Sequence, residues 1–289
     1  MQKRFNRMDI TEKQYQSWDL QAKDVDKLKT LLDHAGKFEA LEMKQALAQG
    51  FSGWWNGTFY NDQIICVAYI TKQFVYLYGK ESEPMMHLGK SLARSQGKRS
   101  GSSTHSVFGP DDLVRAFWQG FQMTDKTVIA DIKLNLWELN EITCKQNDAY
   151  MVRAANTKDF PLVFDFYGEA LIDELGMDVR RVSKDAHEKN CSQLIGEGSL
   201  YLGYHRGKPA FIAKTSESPV GTFLDNAHFP VAMRRPKVMR GIHARLGELL
   251  LEKSPAVLMY VDANDQDTEA AFAEVGYHII NASRLMRLR

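Results

Sequence analysis

Apolar positions recur first at helical and then at strand spacing along the chain. Val25, Leu28, Leu31 and Leu32 lie three and four apart in a polar stretch, which predicts a helix within the first 35 or so residues. A second helix is predicted from about residue 38 to 47. The character then changes. Residues 53–60, with Trp54, Trp55, Phe59 and Tyr60, read as a strand; Asn61-Asp62 reads as a turn; residues 63–70 and 74–78 read as further strands. A helix after Pro84, with Met85, Leu88 and Leu92 on one face, ends in Gly97-Lys98-Arg99-Ser100-Gly101-Ser102-Ser103. A strand over 104–108 leads to a helix opened by Gly109-Pro110-Asp111-Asp112, whose acidic start suits its dipole. Its inward side is Leu113, Val114, Phe117 and Trp118, and a strand over 128–137 follows.

Near Asn147-Asp148 the pattern restarts. Residues 149–155 read as a strand, and Asn156-Thr157-Lys158-Asp159 reads as the start of a helix that runs to about Leu175 and stops at Gly176. A second helix covers 183–194. Residues 200–204 and 210–214 form a predicted hairpin around Arg206-Gly207-Lys208. After a loop with Pro219 and Gly221, residues 227–233 read as a strand. The basic turn Arg234-Arg235-Pro236-Lys237 leads into a helix over about 240–253. Residues 256–261 are strongly β-prone, 268–274 read as a helix, and 276–280 with 285–286 close the sheet. Both halves are mixed α+β. The division falls at a first domain of 1–147 and a second of 148–289.

Composition narrows the classes without naming one. Hydrophobic residues at 44% and charged residues at 25% exclude a disordered chain, a collagen and a disulfide-stapled miniature. Lys plus Arg number 37 against 36 for Asp plus Glu, so no basic face is implied and a nucleic-acid partner is not expected. Cys66, Cys144 and Cys191 form no CxxC pair and read as reduced thiols of a cytoplasmic protein. The basic start, Met1 to Arg7, is not followed by the apolar run of a signal peptide. The longest apolar runs, such as 64–70, fall short of the roughly 20 residues that span a bilayer, so no membrane association is expected.

HExxH, GxSxG and GxGxxG are absent, which leaves zinc-protease, α/β-hydrolase and Rossmann readings without motif support. His187 and Cys191 sit four apart on a predicted helix, a spacing able to share a metal, but no third ligand is near and no metal site is expected. The Gly/Ser/Lys run at 97–103 reads as a solvated connector, though such backbone amides are able to cradle a phosphate. The aromatic cluster of Trp54, Trp55, Phe59 and Tyr60 is suited to a ligand groove or, as expected here, to core packing.

The order of elements from Tyr150 to Arg289 resembles the GNAT acyltransferase superfamily. Three stretches carry the resemblance: Val231 through Leu246, Val257 through Asn264, and Asp265 through Phe272 into Gly276-Tyr277. The N-terminal half resembles the degenerate partner domain of tandem members, through Val107-Phe108-Gly109-Pro110-Asp111-Asp112 and Phe117-Trp118. The resemblance implies two GNAT-like domains, each a mixed, mostly antiparallel central sheet flanked by helices. It implies acetyl-CoA or another acyl-CoA as co-substrate of the second domain.

Coenzyme A carries a pyrophosphate, and a helix N-terminus offers such an anion unpaired N–H groups and a positive dipole end. The family places Gln/Arg-x-x-Gly-x-Gly/Ala there, small residues letting phosphate oxygens approach the backbone. The preceding strand, implied here to hold Val231, Ala232 and Met233, pairs with the pantetheine arm and polarises the thioester. The phosphate segment is then Val238, Met239, Arg240, Gly241, Ile242, His243 and Ala244. With Gly241 as the central glycine, Val238 stands where Gln/Arg belongs and His243 where Gly/Ala belongs. A register shifted by two starts at Arg240, ends near Ala244, and puts His243 at the central glycine. Arg234, Arg235, Lys237 and Arg240 supply compensating charge. A bulky residue at Gly241 is expected to block the phosphates and spare the fold.

The family's Asn corresponds to Asp265, or to Asn264 with a one-residue offset. Its thiolate-protonating Tyr corresponds to Phe272, which donates no proton. Acyl transfer to an amine calls for a general base, and the strand before the phosphate segment offers Asp225 and His228. Tyr260 and Tyr277 are conceivable acids, with packing the expected role. The implied activity is transfer of an acetyl or other acyl group from acyl-CoA to a small-molecule or peptide amine, by a monomer or homodimer. The alternative is a non-catalytic GNAT-fold protein that binds a ligand or partner after losing the phosphate loop. Transfer from aminoacyl-tRNA, known in some tandem relatives, finds little support in the charge balance.

Overall fold

The structure, a computed structural model, describes residues 15–51, 53–96, 106–122, 125–145, 147–175 and 178–289. The glycine/serine run at 97–103 lies outside them. In chain order the elements are β1 (Gln16–Asp19), α1 (Val25–Asp33), α2 (Leu41–Ala48), β2 (Trp54–Tyr60), β3 (Gln63–Ile70), β4 (Phe74–Gly79), α3 (Ser82–Gln96), β5 (Ser106–Gly109), α4 (Asp111–Phe121) and β6 (Val128–Leu139). There follow β7 (Tyr150–Ala154), α5 (Phe160–Leu175), α6 (Val179–Val182), α7 (Lys184–Gly196), β8 (Leu200–His205), β9 (Lys208–Ser218), β10 (Gly221–His228), α8 (Pro236–Leu251), β11 (Val257–Asp262), α9 (Gln266–Val275) and β12 (His278–Leu288). The architecture is mixed α+β, with mostly antiparallel sheets flanked by helices. Among the described residues no helix is long and apolar enough to cross a membrane. The three cysteines are free.

The chain divides into two units, Met1–Leu134 with Asn281–Arg289, and Asn135–Ile280. This differs from the 147/148 division in two places. Residues 135–147 go with the second unit, because the later part of β6 neighbours β11. Residues 281–289 go with the first, because β12 pairs with β5 through Arg284 to Arg287.

In the first unit the strand order is β1-β2-β3-β4-β5-β12-β6. Asn61 and Asp62, at φ of 49° and 63°, make the tight turn between β2 and β3 that their tolerance of left-handed backbone predicts. β4 and β5 run parallel. α1 buries Leu28, Leu31 and Leu32, as their spacing predicts. The polar strand β1 carries no apolar alternation and is not read from the sequence. α3 and α4 cross with their backbones touching: a Cβ on Gly120 would stand 2.1 Å from the Met86 carbonyl oxygen. Arg284 of β12, 3% exposed, holds its guanidinium against the carboxylates of Asp111 and Asp131.

In the second unit the order beyond β6 is β11-β10-β9-β8-β7, antiparallel except for β10 and β11. Period-two alternation sends successive side chains to opposite faces. Phe211 and Ala213 pack in a core with residues of α8 and α9, while Ile212 packs in a core with residues of α5 and α7.

Candidate functional site

The site begins where two parallel strands part. β10 and β11 pair with Thr222 opposite Val257 and Phe223 opposite Leu258. Beyond that, the register of β10 against β9 slips between Asp225 and His228, with Asn226 at a φ of 49°. This is a β-bulge, which bends the strand that carries it. Asn is one of the few residues that takes this left-handed backbone readily. A cleft of about 400 Å³ opens past the bulge. Ala227, His228 and Phe229 form one wall and Met259 to Asp262 the other, with Met239 and His243 from α8 beneath and Arg234 at the mouth.

His228 is the last residue of β10. Its side chain is 6% exposed, and Nε2 stands 3.2 Å from Glu169 Oε2 on α5. The sequence reading missed Glu169, because a partner 59 residues away leaves no local signal. Asp225, the other candidate base, does not border the cleft. It faces its register partner Lys214 at 3.8 Å on β9, an ordinary cross-strand ion pair.

Three expectations for the phosphate segment are overturned. First, Val231, Ala232 and Met233 are not a strand. β10 ends at His228, Phe229-Pro230 interrupts the ladder because proline has no N–H, and 231–233 form one 3₁₀ turn with Val231 81% exposed. Second, α8 starts at Pro236, well before residue 240, since proline is preorganised for the first helical position. The N–H groups of Val238 and Met239 both donate to the Arg235 carbonyl, at 2.8 and 3.0 Å. Residues 238–244 are therefore helix interior, with Val238, Met239, Ile242, His243 and Ala244 buried.

Third, Gly241 is not a clean place to block phosphates. A Cβ there would lie 2.4 Å from the Tyr150 ring, so a bulky residue would disturb the packing of α8 on β7. Helical rotation also divides the segment. Met239 and His243 face the cleft, whereas Lys237, Arg240, Gly241 and Ala244 border a separate depression of about 190 Å³ beside Tyr150. Arg240 is paired with Glu274. Arg234 Nε donates to the Phe229 carbonyl at 2.8 Å. Arg235 and Lys237 are exposed and make no ion pair among the described residues.

His243 sits wholly inside an aromatic cluster, 4.6 Å from Phe272, 5.4 Å from Phe211 and 5.7 Å from Phe229 between ring centroids. Burial pushes its pKa down to about 3, so the imidazole is neutral, and its Nδ1 makes no hydrogen bond. The unfolded chain, with an ordinary histidine near 6.5, takes up this proton well before the folded protein does. Stability from this group is complete above about pH 6.5 and is lost as pH falls toward 3. Urea denaturation at pH 7 and pH 5 is expected to show wild type losing about 2 kcal/mol more than His243→Leu over that interval. Equal losses would contradict a buried neutral imidazole.

Phe272 stacks on Tyr277 at 4.6 Å and is fully buried. Tyr277 is buried too, which raises its hydroxyl pKa, and its Oη makes no hydrogen bond. Neither lines the cleft, whereas Tyr260 does. Asp265 borders the cleft, but its carboxylate caps α9, accepting from Thr268 N at 3.1 Å and Thr268 Oγ1 at 2.6 Å. Asn264 bonds Asp262 Oδ1 through its backbone and amide nitrogens. His187 bonds the Phe164 carbonyl at 2.9 Å, and among the described residues no group of three or more His, Cys, Asp or Glu is arranged to hold a metal. In the first unit the turn from β4 to α3 brings Glu81 and Glu83, carboxylates that repel phosphate.

No family model and no curated protein matches this chain by sequence. Solved structures do match by fold. An acetyltransferase of the GNAT family from Colwellia psychrerythraea superposes with a TM-score of 0.58 at 10% identity, over 96% of this chain and 100% of that one. A GCN5-related N-acetyltransferase from Sphaerobacter thermophilus superposes at 0.60 and 13% identity, over 94% and 95%. A tandem GNAT protein from the clavulanic acid biosynthesis pathway superposes at 0.53 and 10% identity, over 95% and 98%.

Proposed function

Starting from the GNAT superfamily fold that this chain has, we propose that its second unit transfers an acetyl or other acyl group from acyl-CoA to an amine. The observation that carries the reading is the buried His228 at the bulged end of β10, tied to Glu169 and facing a cleft between parted strands. A carboxylate accepting Nε2–H fixes the tautomer with its basic lone pair on Nδ1. The neutral amine attacks the thioester carbonyl carbon, and its proton passes to the imidazole. As the C–S bond breaks, the imidazolium returns that proton to the coenzyme thiolate. One residue thus serves as base and then acid, and Phe272 is not called upon.

The phosphates are met mainly by side chains. Pro236 has no N–H, and the N–H groups of Val238 and Met239 fold back on Arg235, which leaves the Lys237 N–H and the side chains of Arg234, Arg235 and Lys237 to meet the phosphates. Calorimetric titration with acetyl-CoA, coenzyme A and a phosphate-free pantetheine analogue tests this. Micromolar binding that requires the phosphates and falls about tenfold or more in an Arg235→Ala/Lys237→Ala double variant is expected. The second reading, a non-catalytic binding module, draws on Pro236 and the inward-turned donors. Failure of every acyl-CoA to bind would replace the first reading with it.

A further inference from the structure

We propose that the first unit carries a binding site of its own for a small organic ammonium ion, on the face of β1 and β2 that α3 covers. Alternation puts Trp54, Asn56 and Thr58 on that face, where Thr58 Oγ1 donates to the Pro84 carbonyl of α3. Asp19 stands directly opposite Asn56 in the β1–β2 register, and Ile70 opposite Trp54 in the β2–β3 register. With Leu92 of α3 these residues border a cavity of about 340 Å³. It lies toward the C-terminal end of α3, away from the β4–α3 turn, and the proposal does not rest on acyl transfer.

The second observation is the polar lining of the cavity. Asn56 is 9% exposed, borders the cavity, and makes no side-chain hydrogen bond among the described residues. Trp54 lies on the same covered face, yet it is 61% exposed. Asp19 is the one charged residue on the cavity wall among the described residues, and no ion pair engages it. A carboxylate and an amide oxygen therefore face the same space without a cation among the described residues. An anion is disfavoured there. An indole face attracts a cation, Asp19 and Asn56 accept its N–H groups, and Ile70 and Leu92 receive an alkyl stem.

The test titrates the full chain with n-butylammonium chloride and with n-butanol, its uncharged counterpart, followed by the indole N–H resonance that Trp54→Ala removes. Asp19→Asn is the second variant. Both changed residues are exposed, and unchanged circular dichroism establishes that the variants fold. Saturable n-butylammonium binding at least tenfold tighter than n-butanol is expected, weakened at least tenfold in Asp19→Asn. In Trp54→Ala, followed by ligand-observed saturation transfer, the same loss is expected. Equal affinity for the two probes, no binding of n-butylammonium, or affinity untouched by Asp19→Asn would overturn the proposal. Tighter binding of methyl glucoside than of n-butylammonium would overturn it in favour of a sugar stacked on the indole.

Discussion

His228→Ala is expected to lower kcat for acyl transfer by about 10²- to 10⁴-fold, the usual contribution of a positioned general base. The effect should fall on kcat with little change in acyl-CoA affinity, because the imidazole acts on the amine proton and the phosphates are held elsewhere. Added imidazole should restore part of the rate, since the vacated space at the end of β10 opens on the cleft. Glu169→Gln keeps a side chain of the same shape beside Nε2 but removes its charge, and a smaller loss of about tenfold is expected. Steady-state kinetics over a panel of primary amines, with and without imidazole, makes the measurement. A His228→Ala enzyme as fast as wild type would assign the proton transfer to another group in the cleft, with Tyr260 the first to examine.

Phe272→Ala carries the largest expected loss of stability. Its ring touches His243 and Trp137 edge-on and lies against Tyr277, all inside one core. Truncating a fully buried phenylalanine costs about 3–5 kcal/mol, the sum of lost transfer energy and the cavity left behind. For a unit of this size that lowers the melting temperature by about 10 °C or more. The comparison that isolates the cause is Phe272→Leu, which fills more of the space and should lose much less. A Phe272→Ala protein that melts with wild type would mean that the ring is not structural, and would reopen a role for this position at the cleft.

The strands and helices of both halves were legible wherever one periodicity ran uninterrupted. Residues 63–70 became β3 as read, and the helix expected after Asn156 to Asp159 became α5. Two kinds of feature escaped. Local apolarity misled at 227–233, where Ala227, Phe229, Val231 and Met233 alternate as a strand would, while Pro230 breaks the ladder. The true strand starts at Gly221, inside what reads as loop. Long-range pairing was invisible: nothing near His228 points to Glu169, and nothing near β5 points to Arg284. The candidate base was readable, together with Asp225, as a residue type on the strand before the phosphate segment. The cleft that makes it a candidate depends on a bulge at Asn226, which an ordinary Asp-Asn-Ala sequence does not announce.

The placing of β12 beside β5 has a consequence for the order in which the protein matures. Asp111 and the Arg284 that it binds are 173 residues apart. At about 5–20 residues per second, a ribosome takes on the order of ten to thirty seconds to cover that distance. Throughout that time β5 presents an open edge, a surface prone to wrong pairing. Residues 135–280 emerge within the same interval. The half of the protein that is translated first is thus the half that closes last, and a nascent chain stalled before residue 281 would hold a finished second unit behind an unsealed first one.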